Sequence, residues 1–120
     1  MAATLADIEK TLGKVPSYFS ELPDAALPST WQQVKDLDIS GDTALPAKTK
    51  ALISLAVGAQ IPCDYCIWID TEKAKAAGAT EEEIKEAIAI AGYTRYWSTL
   101  LHGMQVDFSD FKAEVRSLSE

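Results

Sequence analysis

The feature that most constrains this chain is a succession of helix start and stop signals in its central part. Pro46 precedes apolar residues at helical spacing, and proline is favoured in the first turn of a helix. Pro62 ends that helix and introduces the next, which stops at Gly78. Thr80 and Glu83 form a capping box, in which each side chain binds a backbone N–H of the other residue. The signals therefore predict helices over residues 46–60, 63–77 and 80–102.

The amino-terminal part predicts shorter helices. Thr4 can cap a helix over residues 5–12, which ends near Gly13. Residues 15–28 contain three of the five prolines, so we expect an irregular segment or one short turn of helix there. Residues 28–37 place three apolar side chains on one helical face, and these are Trp31, Val34 and Leu37.

The carboxyl-terminal part completes an all-α prediction. Asp107 or Ser109 is suited to open a terminal helix. The sequence contains no strand-like alternation and no repeat of fixed period. We therefore expect residues 1–120 to form one α-helical bundle, which is a normal size for a single domain.

The charge and hydropathy of the chain exclude several classes of function. Its 11 basic and 18 acidic residues give a net charge of -7, which disfavours binding to nucleic acids and to anionic membranes. The longest apolar run, residues 51–61, is shorter than the roughly 18 to 20 residues that span a bilayer. The first residues lack the basic region of a signal peptide, so we expect a cytoplasmic protein whose cysteines are kept reduced.

The two cysteines of the chain, Cys63 and Cys66, form a Cys-x-x-Cys pair at a predicted helix start. The amides at a helix start stabilise a thiolate, and a second thiol one turn later can resolve a mixed disulfide. Two other interpretations stay open at this point. The pair could be half of a zinc site, although four ligands are usual, or two inert buried cysteines.

Two segments together resemble a known family. They are LPAKTKALISLAVGAQIPCDYCIWID at residues 45–70 and AKAAGATEEEIKEA at residues 74–87. Their helix, Cys-x-x-Cys, Ala-Gly turn and acidic capping box are similar to those of the AhpD-like / carboxymuconolactone decarboxylase family, over about residues 44–104. The resemblance implies an all-α AhpD-like fold that assembles into homo-trimers or homo-hexamers. For members with both cysteines it implies disulfide-reductase or peroxidase chemistry, with a disulfide or hydroperoxide as substrate and a thiol donor or redox protein as partner.

The resemblance also identifies a difference at two positions. The peroxidase branch has a glutamate 12 positions before the first cysteine and a histidine four after the second, and together they relay protons from the thiol. The matching residues here are Ala51, which cannot carry a proton, and Asp70. On a helix, Asp70 shares a face with Cys63 and Cys66, and it is the candidate to accept a thiol proton. A carboxylate is a poor base for this purpose, and a merely solvated or capping role stays open.

The sequence therefore predicts a thiol–disulfide oxidoreductase with Cys63, Cys66 and Asp70 as its catalytic residues, and with no cofactor or metal. Disulfide reduction is favoured over peroxide reduction because the relay is incomplete. The alternative is a non-catalytic AhpD-fold oligomer that binds a ligand. Capping favours Cys63 as the nucleophile, whereas proximity to Asp70 favours Cys66, and His102 is a second candidate to replace the relay. An aromatic and basic cluster on the long helix suggests core packing or a subunit interface; its members are Tyr93, Arg95, Tyr96 and Trp97.

Overall fold

Residues 2–119 are described by a computed structural model, and within them all regular structure is helical. The helices, in chain order, are α1 (Ala2–Leu12), α2 (Ser17–Ser20), α3 (Leu27–Gln33), a π-helical segment (Val34–Ile39), α4 (Ala47–Gln60), α5 (Asp64–Ala76), α6 (Glu81–Gly103) and α7 (Phe108–Leu118). The described chain divides into two compact units, one ending at Ala47 and one beginning at Lys48. The prediction of one domain over residues 1–120 stays a prediction.

The first unit has its own apolar core, which α1, α2 and α3 supply. The ring of Phe19 meets the ring of Trp31 edge-on at a centroid distance of 5.5 Å. Asp7 of α1 accepts hydrogen bonds from Lys35 Nζ and Trp31 Nε1, each at 2.7 Å. These two bonds, that of Lys35 first, hold the pKa of Asp7 below its usual value. The fully enclosed members of this core are Ile8, Phe19, Leu27 and Trp31.

The π-helical segment corrects one sequence-based expectation. Trp31 is buried and Val34 packs against the core, as the helical spacing predicts, but Leu37 is 59% exposed. A π-helix has more residues per turn than an α-helix, so each position after its start rotates away from the face predicted at α-helical spacing. Leu37 therefore leaves the core face that the sequence pattern assigned to it.

The second unit contains the three central helices that the sequence predicts. Its buried core consists of Ala51 and Leu55 from α4, Ala74 from α5 and Ile84 from α6. Thr80 and Glu83 form the predicted capping box, and Lys48 Nζ of α4 lies 2.9 Å from Glu83 Oε2. The backbone hydrogen bond from Thr80, followed by the bond from Lys48, holds the pKa of Glu83 below its usual value.

The predicted helix ends agree closely with the structure. α1 ends directly before Gly13, which has a positive φ of 89°, and α6 ends at Gly103. Asp107 is the N-cap of α7, and its side chain accepts a hydrogen bond from the amide of Asp110. The all-α prediction is confirmed. No helix within residues 2–119 is both long enough and apolar enough to cross a bilayer.

Candidate redox site at the start of α5

Cys63 is the N-cap of α5. Its backbone is extended, with φ −132° and ψ 105°, and its Sγ accepts a hydrogen bond of 3.1 Å from the amide of Cys66. Its carbonyl accepts the amide of Ile67 at 2.9 Å, which is the first hydrogen bond of the helix. The sulfur therefore occupies the place where a helix N-terminus favours negative charge, which stabilises a thiolate at Cys63 once the pair is reduced.

Cys63 and Cys66 are joined by a disulfide bond in this structure. Their Cα atoms are 5.2 Å apart, within the range that protein disulfides occupy. Both residues are half-buried, while the two residues between them, Asp64 and Tyr65, are exposed. The pair is thus placed to exchange between dithiol and disulfide at the surface of the second unit.

Gly58 fixes the distance between the end of α4 and the dithiol. A Cβ atom at position 58 would lie only 2.8 Å from Cys66 Cβ, a separation that real Cβ atoms essentially never show. The carbonyl of Gly58 also accepts the amide of Cys63 at 2.8 Å. Sequence reasoning did not identify this residue, although an isolated glycine inside an apolar helical run indicates a close backbone approach.

Asp70 lies one helical turn after Cys66 and is 6% exposed. Its Oδ2 accepts a hydrogen bond from Ser54 Oγ of α4 at 2.6 Å. The solvated or capping interpretation of Asp70 is therefore wrong, because the carboxylate is enclosed between α4 and α5. Ser54 precedes Gly58 by one turn, so α4 supplies a contact to Asp70 and, one turn later, a contact to Cys66.

The position that carries a glutamate in the peroxidase branch contributes to the apolar core in this chain. Ala51 is buried among Leu55, Ala74 and Ile84, and its methyl group has no proton to transfer. Within the described chain, every fully buried side-chain nitrogen or oxygen has a hydrogen-bond partner. The Ser54–Asp70 pair is thus satisfied.

His102 is not brought to the dithiol segment. Its Nδ1 lies 2.8 Å from the carbonyl oxygen of Ser98, one turn earlier on α6. The imidazole lines a pocket of about 390 Å³, whose other lining residues come from the end of α6, from α7 and from the turn between them; these are Leu101, Gln105, Val106, Phe108 and Phe111. None of these residues belongs to α4 or α5, so this pocket is separate from the redox site.

The aromatic cluster on α6 does not form core. Tyr93, Tyr96 and Trp97 are all exposed, and both tyrosines meet Trp97 edge-on. The core-packing interpretation is therefore wrong for these three rings, and the interface interpretation remains a prediction. Near the dithiol, Tyr65 is 87% exposed and Trp68 is 66% exposed.

The sequence profile of the carboxymuconolactone decarboxylase family matches residues 25–107 of this chain. The match includes both cysteines, Gly58 and the Ser54–Asp70 pair, and it covers more than half of the chain. The chain belongs to the carboxymuconolactone decarboxylase family.

Three proteins of named organisms are similar to this chain in sequence or in structure. A crystal structure of the alkylhydroperoxidase AhpD core from Rhodospirillum rubrum superposes with a TM-score of 0.73 and 34% sequence identity, over 88% of this chain and 79% of that one. An uncharacterized protein of Cupriavidus necator is 34% identical over 86 residues, which are 70% of this chain and 75% of that protein. The "uncharacterized protein 4 in cox locus" of Paracoccus denitrificans is 38% identical over 64 residues, which are 53% of this chain. The chain spans only 58% of the length of the Paracoccus protein. The superposition on the AhpD core shows that this chain has the AhpD-like fold.

This member of the carboxymuconolactone decarboxylase family has an oxidisable cysteine pair, but Ala51 and Asp70 stand at the two positions that relay protons in the peroxidase branch. Cys63 and Cys66 lie at the start of α5, Asp70 lies one turn after Cys66 on the same helix, and α4 contributes Gly58 and Ser54 beside them. Within residues 2–119, no three His, Cys, Asp or Glu side chains gather as a metal-binding group. The arrangement can store and release two electrons through one disulfide bond.

Proposed function

We propose that this protein is an AhpD-like thiol–disulfide oxidoreductase that reduces disulfides through Cys63 and Cys66. The observation that carries the proposal is the Cys63–Cys66 bond at the N-terminus of α5, where the helix itself stabilises the attacking thiolate. Family membership supports the same chemistry, because the family includes the alkylhydroperoxidase core to which this chain is similar.

The reaction transfers two electrons from the reduced cysteine pair to a disulfide. The Cys63 thiolate attacks one sulfur of the substrate, forms a mixed disulfide and expels one thiolate, which takes up a proton. Cys66 then loses its proton and attacks the Cys63 sulfur, which releases the second substrate thiol and re-forms the bond seen in the structure. A thiol donor of the cell, either a small dithiol or a redox protein, reduces the pair again.

The geometry favours Cys63 as the nucleophile. Its Sγ already accepts the amide of Cys66, whereas the Cβ of Cys66 faces the backbone of Gly58. Asp70, one turn beyond Cys66, has the opposite effect on that second thiol, because a nearby negative charge disfavours a thiolate. We therefore assign Cys66 the resolving role, with the carboxylate of Asp70 accepting its proton during the second step.

Peroxide reduction is expected to be the weaker activity. A positioned acid–base group contributes roughly 10² to 10⁴ in rate, and Ala51 supplies none. Disulfide exchange depends less on such a group, because its leaving thiolate is far more stable than an alkoxide.

The test follows the pre-reduced protein through a single turnover with a small disulfide and, separately, with cumene hydroperoxide. The wild type should release thiol from the disulfide, and the Cys63→Ser, Cys66→Ser double variant should not. Cys66→Ser alone should accumulate a mixed disulfide at position 63, visible as added mass, and Cys63→Ser should accumulate none. Equal rates for the wild type and the double variant would overturn the proposal.

A non-catalytic binding protein is the second candidate, and the placement of Ala51 in the core favours it. In that case the cysteine pair is a structural bond and no disulfide is turned over. The single-turnover experiment separates the two, because only an oxidoreductase loses its pair of thiols in step with thiol release from the substrate.

The same proposal includes assembly into homo-trimers or homo-hexamers in the cytoplasm. Its support is a set of large apolar side chains that are exposed on α4, on α5 and on the connection between them; these are Val57, Ile61, Tyr65, Trp68 and Ile69. Large exposed apolar patches on soluble proteins mark interaction sites. Light scattering on the purified protein should give three or six times the monomer mass, and Trp68→Glu should lower it. A monomeric wild type would contradict this part of the proposal.

A further inference from the structure

Asp64 places an exposed carboxylate beside the attacking sulfur. The residue directly follows Cys63 and occupies the first position of α5. In residues 57–69, which run from the last turn of α4 past both cysteines, it is the only charged residue. Within residues 2–119 it takes part in no ion pair, so no cation neutralises this carboxylate.

The lysines of α4 and α5 lie far from the start of α5. Lys73 follows Cys63 by ten residues, which is about 15 Å along α5, and Lys50 precedes Gly58 by eight residues, which is about 12 Å along α4. Both separations exceed the Debye length, which is about 8 Å at physiological ionic strength. Their charges are therefore largely screened at the dithiol.

The guanidinium of Arg95 contacts the last turn of α4 on another face. Its Nε donates a hydrogen bond of 3.0 Å to Gln60 Oε1. Gln60 follows by two residues Gly58, which meets Cys66, and two residues turn an α-helix by about 200°. The side of α4 that meets the redox pair is thus not the side that meets Arg95.

Reduction of the pair makes the start of α5 more negative. The Cys63 thiolate carries a full charge, whereas the amino terminus of a helix contributes roughly half a positive charge. Asp64 adds a second full negative charge at the next residue, in a chain whose net charge is -7. The potential at the attacking sulfur therefore disfavours anionic substrates and favours cationic ones.

The neighbouring side chain is also suited to a cation. Tyr65 follows Asp64 in the first turn of α5, and its side chain is 87% exposed. The face of a tyrosine ring attracts an ammonium group. A cationic substrate thus meets a carboxylate and an aromatic ring next to the sulfur that it must reach.

We propose that Asp64 attracts the cationic group of a small-molecule disulfide while the Cys63 thiolate attacks the nearer sulfur. The preferred substrates are then low-molecular-weight disulfides that carry an ammonium group a few bonds from sulfur. In the attack, the substrate S–S bond breaks, a bond from Cys63 to the nearer sulfur forms, and the other half leaves as a thiolate that takes up a proton. This inference rests on the proposed oxidoreductase function.

The test compares three disulfides in single turnovers of the pre-reduced protein: cystamine, which is cationic, dithiodipropionate, which is anionic, and the uncharged bis(2-hydroxyethyl) disulfide. The readout is the ratio of the second-order rate constant for cystamine to that for dithiodipropionate. A general loss of folding or of thiol reactivity cancels in this ratio, and the intrinsic reactivity of each disulfide is the same for every variant.

Asp64→Asn should lower the ratio about tenfold. A unit charge about 6 Å from the carboxylate in water changes a rate constant about threefold, and the change is opposite for the two substrates. Asp64→Glu should keep the ratio near that of the wild type, because it retains the charge. Raising the ionic strength to about 1 M, where the Debye length is about 3 Å, should narrow the difference between the wild type and Asp64→Asn.

Asp110→Asn is the matched control. It removes the same charge from an exposed aspartate in the first turn of another helix, α7, so the net charge of the chain changes equally. This variant should keep the wild-type ratio.

The outcomes separate this inference from the function on which it rests. If the wild type reduces bis(2-hydroxyethyl) disulfide and Asp64→Asn has the same ratio as Asp110→Asn, the preference for cationic disulfides is overturned and the oxidoreductase stands. If the wild type reduces none of the three disulfides, the proposed function itself fails, and the substrate preference fails with it.

Discussion

Replacing Gly58 with alanine tests whether the close approach of α4 to Cys66 organises the redox site. The new Cβ would lie 2.8 Å from Cys66 Cβ, whereas ordinary van der Waals contact begins at 3.4 Å. Neither atom belongs to a flexible side-chain end, so the backbones of α4 and α5 must separate. Overpacking of this kind costs about 1–3 kcal/mol of unfolding free energy.

A gain in helix propensity opposes this cost. Alanine stabilises a helix interior by about 1 kcal/mol relative to glycine. Gly92→Ala in α6 provides the matched control for stability, because a Cβ there meets no atom within 4 Å. We expect Gly92→Ala to raise the melting temperature by about 4 °C. Gly58→Ala should melt about 4–12 °C below Gly92→Ala.

Thermal unfolding of the oxidised proteins, followed by circular dichroism, gives both melting temperatures. The fraction of oxidised Cys63–Cys66 in dithiothreitol buffers of known ratio should also change in Gly58→Ala, because the displaced backbone carries Cys66. Equal stabilisation by the two substitutions, with an unchanged thiol–disulfide equilibrium, would refute the claim that this contact sets the position of the pair.

Three further predictions concern polar contacts. Ser54→Ala should lower the unfolding free energy by about 1.5–3 kcal/mol, since it leaves the buried carboxylate of Asp70 without its donor. Denaturant unfolding of the two single variants, Ser54→Ala and Asp70→Asn, and of the double variant should show losses of unfolding free energy that do not add. Because the pKa of Glu83 is lowered in the folded state, its contribution to stability is present above the usual value of 4.5 and is lost as the pH falls below it. The difference in unfolding free energy between wild type and Glu83→Gln should therefore shrink to nothing on acidification. A difference that stays constant with pH would contradict the lowered pKa of Glu83. The pKa of Asp7 is lowered in the same sense from its usual 3.8, so the gap between wild type and Asp7→Asn should narrow at still lower pH, and a change in the fluorescence of Trp31 should accompany the substitution.

Local signals in the sequence were sufficient to predict the helices and the place of the cysteine pair. Proline, the Thr80 capping box and Gly78 act within one turn of the chain, so their effect can be read without knowing the fold. Cys63 is the N-cap of α5 because it directly follows Pro62, which breaks the preceding helix. The Asp107 cap of α7 is a signal of the same kind.

The contacts between helices could not be predicted in the same way. Ser54 looks like any polar residue on the exposed side of α4, and its partnership with Asp70 depends on which face α5 presents. The anchoring of Arg95 by Gln60 joins residues 35 positions apart, which no local pattern indicates. The exposure of Leu37 depends on a π-helical turn, and such a turn has no clear sequence signature.

The sulfur of Cys63 has two roles, because it accepts a hydrogen bond from the amide of Cys66, in the first turn of α5, and is also one of the two sulfurs of the disulfide. A thiolate is a stronger acceptor than a disulfide sulfur, because it carries a full negative charge. Reduction therefore removes a covalent link across the first turn of α5 and strengthens the hydrogen bond that Cys63 accepts there, so the same turn is held by a covalent bond in one state and mainly by a charge-assisted hydrogen bond in the other.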